Sequence, residues 1–423
     1  MLNFNKKIVH VILRNKIIGI DSILPLCMEM HGKCGCTFNF ISLDSSTYKY
    51  IMKDNVVLID AINYIGKIDL VSTSKYKSKY ISKLSFILYF IKVIFKVTVR
   101  DNYIMHSGHL HLKPLAWIRF LFKRSNVIFV ERESYISEAR FIHSDMNIFY
   151  AGRMTYDEIS ESSIDIHSNP PLLYANTLIG YDKEWVYFKH AKANKLKKIV
   201  LKDIRKNKYW IEFLYKNADK YIKNETPYGD FESSNILVFI ATRVTRTSDR
   251  DLINEFAGAL KALSKYMHIF PLFIKLHTFS DIEFINELLD ISLGRENRDR
   301  YVITSIYPTI LSSKSIVSVF ASEGTLMREF SGLNIPVVDL QMHEEFLPSY
   351  FFDNSIGLSA SDLAERYKLR KISSDYIFTN NESFDKFMDK TIDNSHNFSD
   401  TNHDFFATHK KISHSDGLCS FFV

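Results

Sequence analysis

Apolar positions along the chain fall into short runs separated by polar punctuation. Lys7 to Leu13 (KIVHVIL) has the pattern of a buried strand, Phe38 to Leu43 of a second and Val56 to Ile59 of a third. Between the first two, LPLCMEMHGK reads as a helix after a loop, with Pro25 near its start and Gly32 near its stop. Tyr103 to Met105 ends another strand, and a His-Ser-Gly-His-Leu-His turn follows. A helix is expected after Pro114, because the first helical position needs no N–H. NVIFVERES is a further strand, and two amphipathic helical stretches, from Gly180 and from Tyr209, occupy the middle of the chain. Strands alternating with helices predict a parallel sheet covered on both faces.

The second half repeats this alternation more legibly. Ile236 to Ala241 is a buried strand, TRVTRTSDR a polar loop, and DLINEFAGALKALSKY a helix with a continuous apolar stripe. Phe270 to Leu276 is the next strand, followed by the helix DIEFINELLDISL. A short strand at Val302 and Ile303, a helical turn over Ile306 to Ser312 and the strand SIVSVF come next. The loop ASEGT then leads into LMREFSGL, and IPVVDL is the last strand. This doubling predicts an N-terminal α/β domain over 1–165, then linker helices and a C-terminal α/β domain over 166–379. The tail, 380–423, is rich in Ser, Asn, Asp, His and Phe without periodicity, and is expected to be poorly ordered or packed on the surface.

Composition adds bounds. A length of 423 residues suits two or three domains, and 46% hydrophobic with 24% charged residues is ordinary for a soluble globular chain. The 33 Phe and 23 Tyr, beside abundant Ile, Lys and Asn, read as codon bias of an AT-rich genome, not as a ligand platform. A net charge of +6 favours an anionic partner. With no RNA- or DNA-binding motif, no nucleic acid is expected; phosphorylated sugars and an anionic membrane surface fit the charge.

Segment 75–100 is apolar at its centre, interrupted by Lys83, Lys92 and Lys96 and flanked by more Lys. It reads either as a basic helix lying in a membrane interface or as a buried helix and strand of the first domain whose Lys side chains snorkel to water. The N-terminal apolar run is too short for a signal peptide, so the mature chain is expected to start here. No run of about twenty apolar residues is available to span a bilayer. Cys27, Cys34 and Cys36 cluster near His31 without the paired knuckles of a closed zinc site, and read, with Cys419, as free thiols of a reducing cytoplasm.

Candidate chemistry collects on three loops of the second half, each at the carboxyl end of a strand. Arg243 and Arg246 lie among hydroxyls ahead of a helix N-terminus, which suits a diphosphate. Lys275 and His277 share one face of a strand end. Ser322, Glu323, Gly324 and Thr325 enter a helix whose free N–H groups can face phosphate oxygens, and Glu329, one turn on, is placed to accept ribose hydroxyls. Each loop alone also reads as solvated charge or as a simple capped turn.

The run SSKSIVSVFASEGTLMREFSGLNIPVVDL resembles the donor-binding segment of the GT-B superfamily, which includes the non-hydrolysing UDP-N-acetylglucosamine 2-epimerases. Ser322, Gly324, Thr325, Glu329 and Pro336 stand at the matching places, and Lys275-Leu-His277 is similar to the basic-x-His element of bacterial capsule and lipopolysaccharide transferases. The likeness covers residues 235–340; Glu323-Gly324 replaces the usual double Gly, Arg328 stands where an acid is common, and Thr follows His277 where Pro is usual.

The resemblance implies two Rossmann-like α/β domains facing across a cleft. It also implies a glycosyltransferase that moves a sugar from a nucleotide-sugar donor to a saccharide acceptor, lipid-linked, in surface polysaccharide synthesis. Such an enzyme would be cytoplasmic and peripheral on the inner face of the membrane. In such a fold the first domain supplies the base that deprotonates the acceptor hydroxyl. His109 is the candidate, with His106, His111 and Asp21 behind it; three His in six residues also fit a surface loop. No DxD-like motif stands at a strand end, so neither a metal nor another cofactor is expected, and leaving-group charge falls to Arg, Lys and helix N-termini. The rivals are a sugar-nucleotide 2-epimerase, a polyol-phosphate transferase of the teichoic-acid type, and a catalytically inert binding module of the same fold.

Overall fold

The structure, a computed structural model, describes residues 7–13, 17–72, 79–100, 102–107, 115–130, 174–180, 196–201, 204–225, 235–241, 243–277, 280–304, 306–321, 335–342, 347–355, 370–371 and 374–395, with positions 110, 327, 330 and 333. Two compact units divide the chain: Met1–Trp210 with Ile412–Val423, and Ile211–Lys411.

The first unit is built on a seven-stranded parallel sheet. Its strands are β1 (Ile8–Leu13), β2 (Thr37–Ser42), β3 (Gly66–Leu70), β4 (Tyr103–His106), β5 (Val127–Val130), β6 (Thr177–Gly180) and β7 (Lys197–Val200), in the order β3-β2-β1-β4-β5-β6-β7. The sheet thus continues past residue 166 through two short strands that the sequence pattern does not announce. The order reverses between β1 and β4, which makes this a doubly wound sheet.

Helix α1 runs from Ile17 to Cys34 and carries Pro25 in its interior, where a start near Pro25 was expected. An internal Pro costs about 3 kcal/mol. Burial of Leu24, Leu26, Cys27, Met28 and Met30, at roughly 1.5–3 kcal/mol for each large side chain, outweighs it. The helix stops at Gly35, with φ +66° and its N–H donated to the His31 carbonyl at 3.0 Å, not at Gly32. Gly32 serves close packing instead: a Cβ there would sit 2.2 Å from the Tyr209 ring.

Val56 to Ile59, expected as a strand, opens a helix. The short helix α2 (Ser45–Lys49) precedes it, and α3 spans Val56–Ile65. Asn55 caps α3 by accepting the Leu58 N–H at 3.0 Å, and Val57, Leu58, Ala61, Ile62 and Ile65 are buried at helical spacing. Helix α4 (Lys79–Val99) buries Phe86, Phe90, Val93 and Val97 on the other face of the sheet, with Leu115 and Phe122 in the same core. After Pro114 the chain forms short 3-10 turns, not an α-helix.

The cysteines do not all behave as free thiols. Cys27 and Cys36 are free and buried, and burial pushes the Cys36 thiol up to about 12. Cys34, however, is disulfide-bonded, a pairing that spacing along the chain does not reveal.

The second unit begins with α5 (Lys208–Lys216) and α6 (Ala218–Glu225), the first of which straddles the boundary between the units. Its six-stranded parallel sheet comprises β8 (Ile236–Ile240), β9 (Leu272–Lys275), β10 (Tyr301–Thr304), β11 (Ser315–Phe320), β12 (Val337–Leu340) and β13 (Tyr376–Phe378), in the order β10-β9-β8-β11-β12-β13. The covering helices are α7 (Arg250–Ser264), α8 (Ile282–Leu293), α9 (Pro308–Ser312) and α10 (Asn381–Ser395). The protein therefore has two doubly wound, parallel-sheet α/β units. α10 lies in the segment read as an aperiodic tail; Phe384 and Met388, one turn apart, bury completely and anchor it to the core. A buried Arg370 bonds Glu255 of α7 at 2.6 Å and Asp339 of β12 through Nε at 2.9 Å, tying helix to sheet.

Candidate functional site

Where the strands end decides what can meet. In the second sheet Ile240 of β8 stands in register with Lys275 of β9 on one side and with Phe320 of β11 on the other. Three consecutive loops therefore leave one rim, and the Ala241 N–H donates to the Lys275 carbonyl at 2.9 Å across it. The order of strands reverses between β8 and β11, and open α/β sheets take ligands in the crevice outside such a reversal.

The loop after β8 is shaped by its own side chains. The Thr245 N–H donates to Ser248 Oγ at 2.9 Å, the Ser248 N–H returns to the Thr245 carbonyl, and Asp249 caps α7 by accepting the Leu252 N–H at 3.1 Å. Asp281 caps α8 in the same way through the Phe284 N–H, while its own N–H donates to the Val244 carbonyl at 3.2 Å. The positive ends of α7 and α8 thus open on the same rim. The turn between Thr245 and Ser248 and the caps Asp249 and Asp281 escaped the sequence reading, although Ser-Asp ahead of the apolar run DLINEF signals such a cap.

Three sequence candidates come together. Arg243 is exposed and Lys275 half-buried, and both act on His277. His277 is exposed, yet its imidazole lies below its ordinary value, first because the neighbouring protein partly desolvates the charged form and then because the Arg243 and Lys275 charges repel a proton there. At neutral pH the rim holds two fixed cations beside an uncharged imidazole that can still donate a hydrogen bond. Arg246 is directed elsewhere. Its guanidinium pairs with Glu287 of α8 and lies 5.1 Å from the Phe284 ring centroid. A pair this exposed adds little to stability.

The third loop is described as far as Ala321, which is buried at the end of β11. Ser322, Glu323, Gly324, Thr325 and Glu329 lie outside the described residues, as do His109 and His111 of the first unit. His106 ends β4 beside the strand-order reversal, but it is fully buried; its ring meets Phe129 edge-on at 5.2 Å, and Nε2 lies 3.4 Å from the Tyr174 carbonyl. Among the described residues no group of three or more His, Cys, Asp or Glu is placed to hold a metal ion.

No family model matches the chain, and no curated protein matches it. Among solved structures it is similar to the Anabaena protein HepE, solved in complex with UDP and glucose, at 10% identity and TM-score 0.47 over 98% of this chain and 97% of that one. It is also similar to a glycosyltransferase from Rickettsia africae, at 13% identity and TM-score 0.40 over 92% of this chain and 89% of that one. A third is the UDP-GlcNAc 2-epimerase of Methanocaldococcus jannaschii, at 11% identity and TM-score 0.43 over 85% and 92%.

Proposed function

We propose that the protein is a GT-B-type glycosyltransferase that binds a nucleotide-sugar donor at the β8–β9–β11 rim and passes its sugar to a saccharide acceptor, lipid-linked, in surface polysaccharide synthesis. The observation that carries this reading is the convergence of Arg243, Lys275 and His277 beside a strand-order reversal, with two helix N-termini opening on them. When the bond between the anomeric carbon and the donor's diphosphate oxygen breaks, negative charge grows on that oxygen. Fixed cations and helix N-termini that need no reorganisation stabilise such charge most. Neutral His277 can donate to the same oxygen or a neighbouring one. The acceptor hydroxyl must lose its proton as it attacks, and His109, on the loop leaving β4, is the proposed base. Ser322 to Thr325 and Glu329 are the proposed diphosphate and ribose contacts.

Titration calorimetry with UDP, GDP, CDP and CMP tests the donor site directly. One nucleotide is expected to bind, and Arg243→Ala and Lys275→Ala are each expected to weaken it. Binding of none of the four, or binding indifferent to both substitutions, would remove the basis for the proposal. Incubation with UDP-N-acetylglucosamine alone separates the nearest rival, since epimerisation without acceptor would replace transfer as the activity. Phosphate retained in the product would point instead to a polyol-phosphate transferase.

A further inference from the structure

Helix α4 has two apolar faces, and only one of them is packed. Phe86, Phe90, Val93 and Val97 line the core of the first unit. On the opposite side Leu84, Ile87, Leu88, Ile91 and Phe95 are each more than half exposed. At about 3.6 residues per turn these five form one stripe along the helix, with Lys83 on one flank and Lys92 and Lys96 on the other. A helix serving only to cover a sheet would carry polar residues there.

A second element extends the pattern. The 3-10 turns over 115–126 share the α4 side of the sheet through Leu115 and Phe122, and Asn126 Nδ2 donates to the Val97 carbonyl at 2.9 Å, fixing the turns to the end of α4. They expose Trp117 and Phe120, at 61% and 68%, next to Arg119 and the exposed Lys123 and Arg124. Charge over the whole stretch is one-sided: between Asp69 and Glu131 the chain has eight Lys and three Arg against a single acid, Asp101. Asp69 itself accepts a hydrogen bond from the Tyr89 hydroxyl at 2.8 Å.

We infer that this face of the first unit docks on an anionic lipid bilayer. The aliphatic stripe of α4 and the Trp117 and Phe120 rings enter the headgroup–acyl boundary, while the flanking Lys and Arg reach the lipid phosphates. No described helix is long and apolar enough to cross a membrane, so the helix lies in the interface plane. The alternation of apolar and basic residues matches that boundary, where water, phosphate and hydrocarbon meet within the width of one helix. An interface with a second copy of the chain would set these cations against one another. The inference stands apart from the donor-site proposal, because none of its residues belongs to the β8–β9–β11 rim.

Flotation of the full chain with vesicles tests it. Binding is expected to vesicles of phosphatidylglycerol and phosphatidylcholine in equal parts and not to phosphatidylcholine alone. Joint Lys83→Gln, Lys92→Gln and Lys96→Gln substitution is expected to weaken binding on the order of 100-fold. Leu88→Ser with Ile91→Ser, both at exposed positions, is expected to weaken it while leaving the circular dichroism spectrum and any nucleotide binding unchanged. Absence of vesicle binding, equal binding to both vesicle types, or a concentration-dependent dimer abolished by Leu88→Ser would each overturn the inference.

Discussion

Replacing Arg370 by Met tests how the second unit holds the helix that opens on its candidate site. Arg370 is fully buried, as are Glu255 of α7 and Asp339 of β12. Its Nη1 bonds Glu255 at 2.6 Å, its Nε bonds both Asp339 oxygens at 2.9 and 3.1 Å, and its Nη2 pairs with Asp339 as well. Gln341 Nε2 adds a fourth donor group, to Asp339 Oδ2 at 2.8 Å. Met fills similar volume but leaves two buried carboxylates with no countercharge among these contacts. Breaking one buried pair in this way costs about 3–5 kcal/mol, and two stranded carboxylates place the expected loss at the upper end. At about 1.4 kcal/mol per factor of ten, local opening becomes two to four orders of magnitude more frequent.

Hydrogen–deuterium exchange of β8, β12 and α7 peptides reads this unit without the first. Adding Asp339→Asn and Glu255→Gln to the variant should recover much of the loss, because the stranded charges are then gone. A loss below about 1 kcal/mol would show that the cluster does not clamp α7 to the sheet.

The other expectations concern the rim and the first unit. Arg243→Ala and Lys275→Ala should each reduce affinity for the nucleotide that binds about tenfold or more, as expected for losing a charge-assisted hydrogen bond, and calorimetry with unchanged circular dichroism would register it. Because a diphosphate beside it would favour the charged imidazole, whose pKa is lowered in the free protein, affinity for that nucleotide should increase as pH falls from neutral toward the lowered His277 value. That increase should vanish in His277→Ala; a profile identical in both proteins would refute the coupling. In the first unit His10 is buried and held down to about 4, mainly by burial and then by Lys96. Its unfolded form binds protons that the folded form refuses, so stability falls as pH drops from about 6.5 to about 4, by about 3 kcal/mol in all. In His10→Leu, tryptophan-monitored urea midpoints should show a shallower acid limb; a limb of unchanged slope would exclude His10 as the titrating group.

Local pattern alone determined a good deal of this protein. Short apolar runs such as Ile236 to Ile240 and Ser315 to Phe320, each followed by a polar loop and an amphipathic helix, specified two parallel-sheet α/β units, because a strand buried on both faces and a helix striped on one have no other common arrangement. The short range also misled. Val56 to Ile59 carries a strand's residues, but the Asn55 cap and apolar spacing out to Ile65 make it a helix. Phe384, Phe387, Met388 and Ile392 stand at helical spacing, but this single short stripe lies in a polar surrounding and was passed over in reading the segment as an aperiodic tail.

What the tertiary structure alone decided is which charged groups meet. Arg243 and Arg246 are three residues apart, yet register and capping bring one to His277, 34 positions along the chain, while α8 takes the other through Glu287. Arg370, Asp339 and Glu255 are likewise strangers in sequence and neighbours in the core. Electrostatic partnership depends on distance in space and on local dielectric, and a linear pattern encodes neither until strand order has placed one loop beside another.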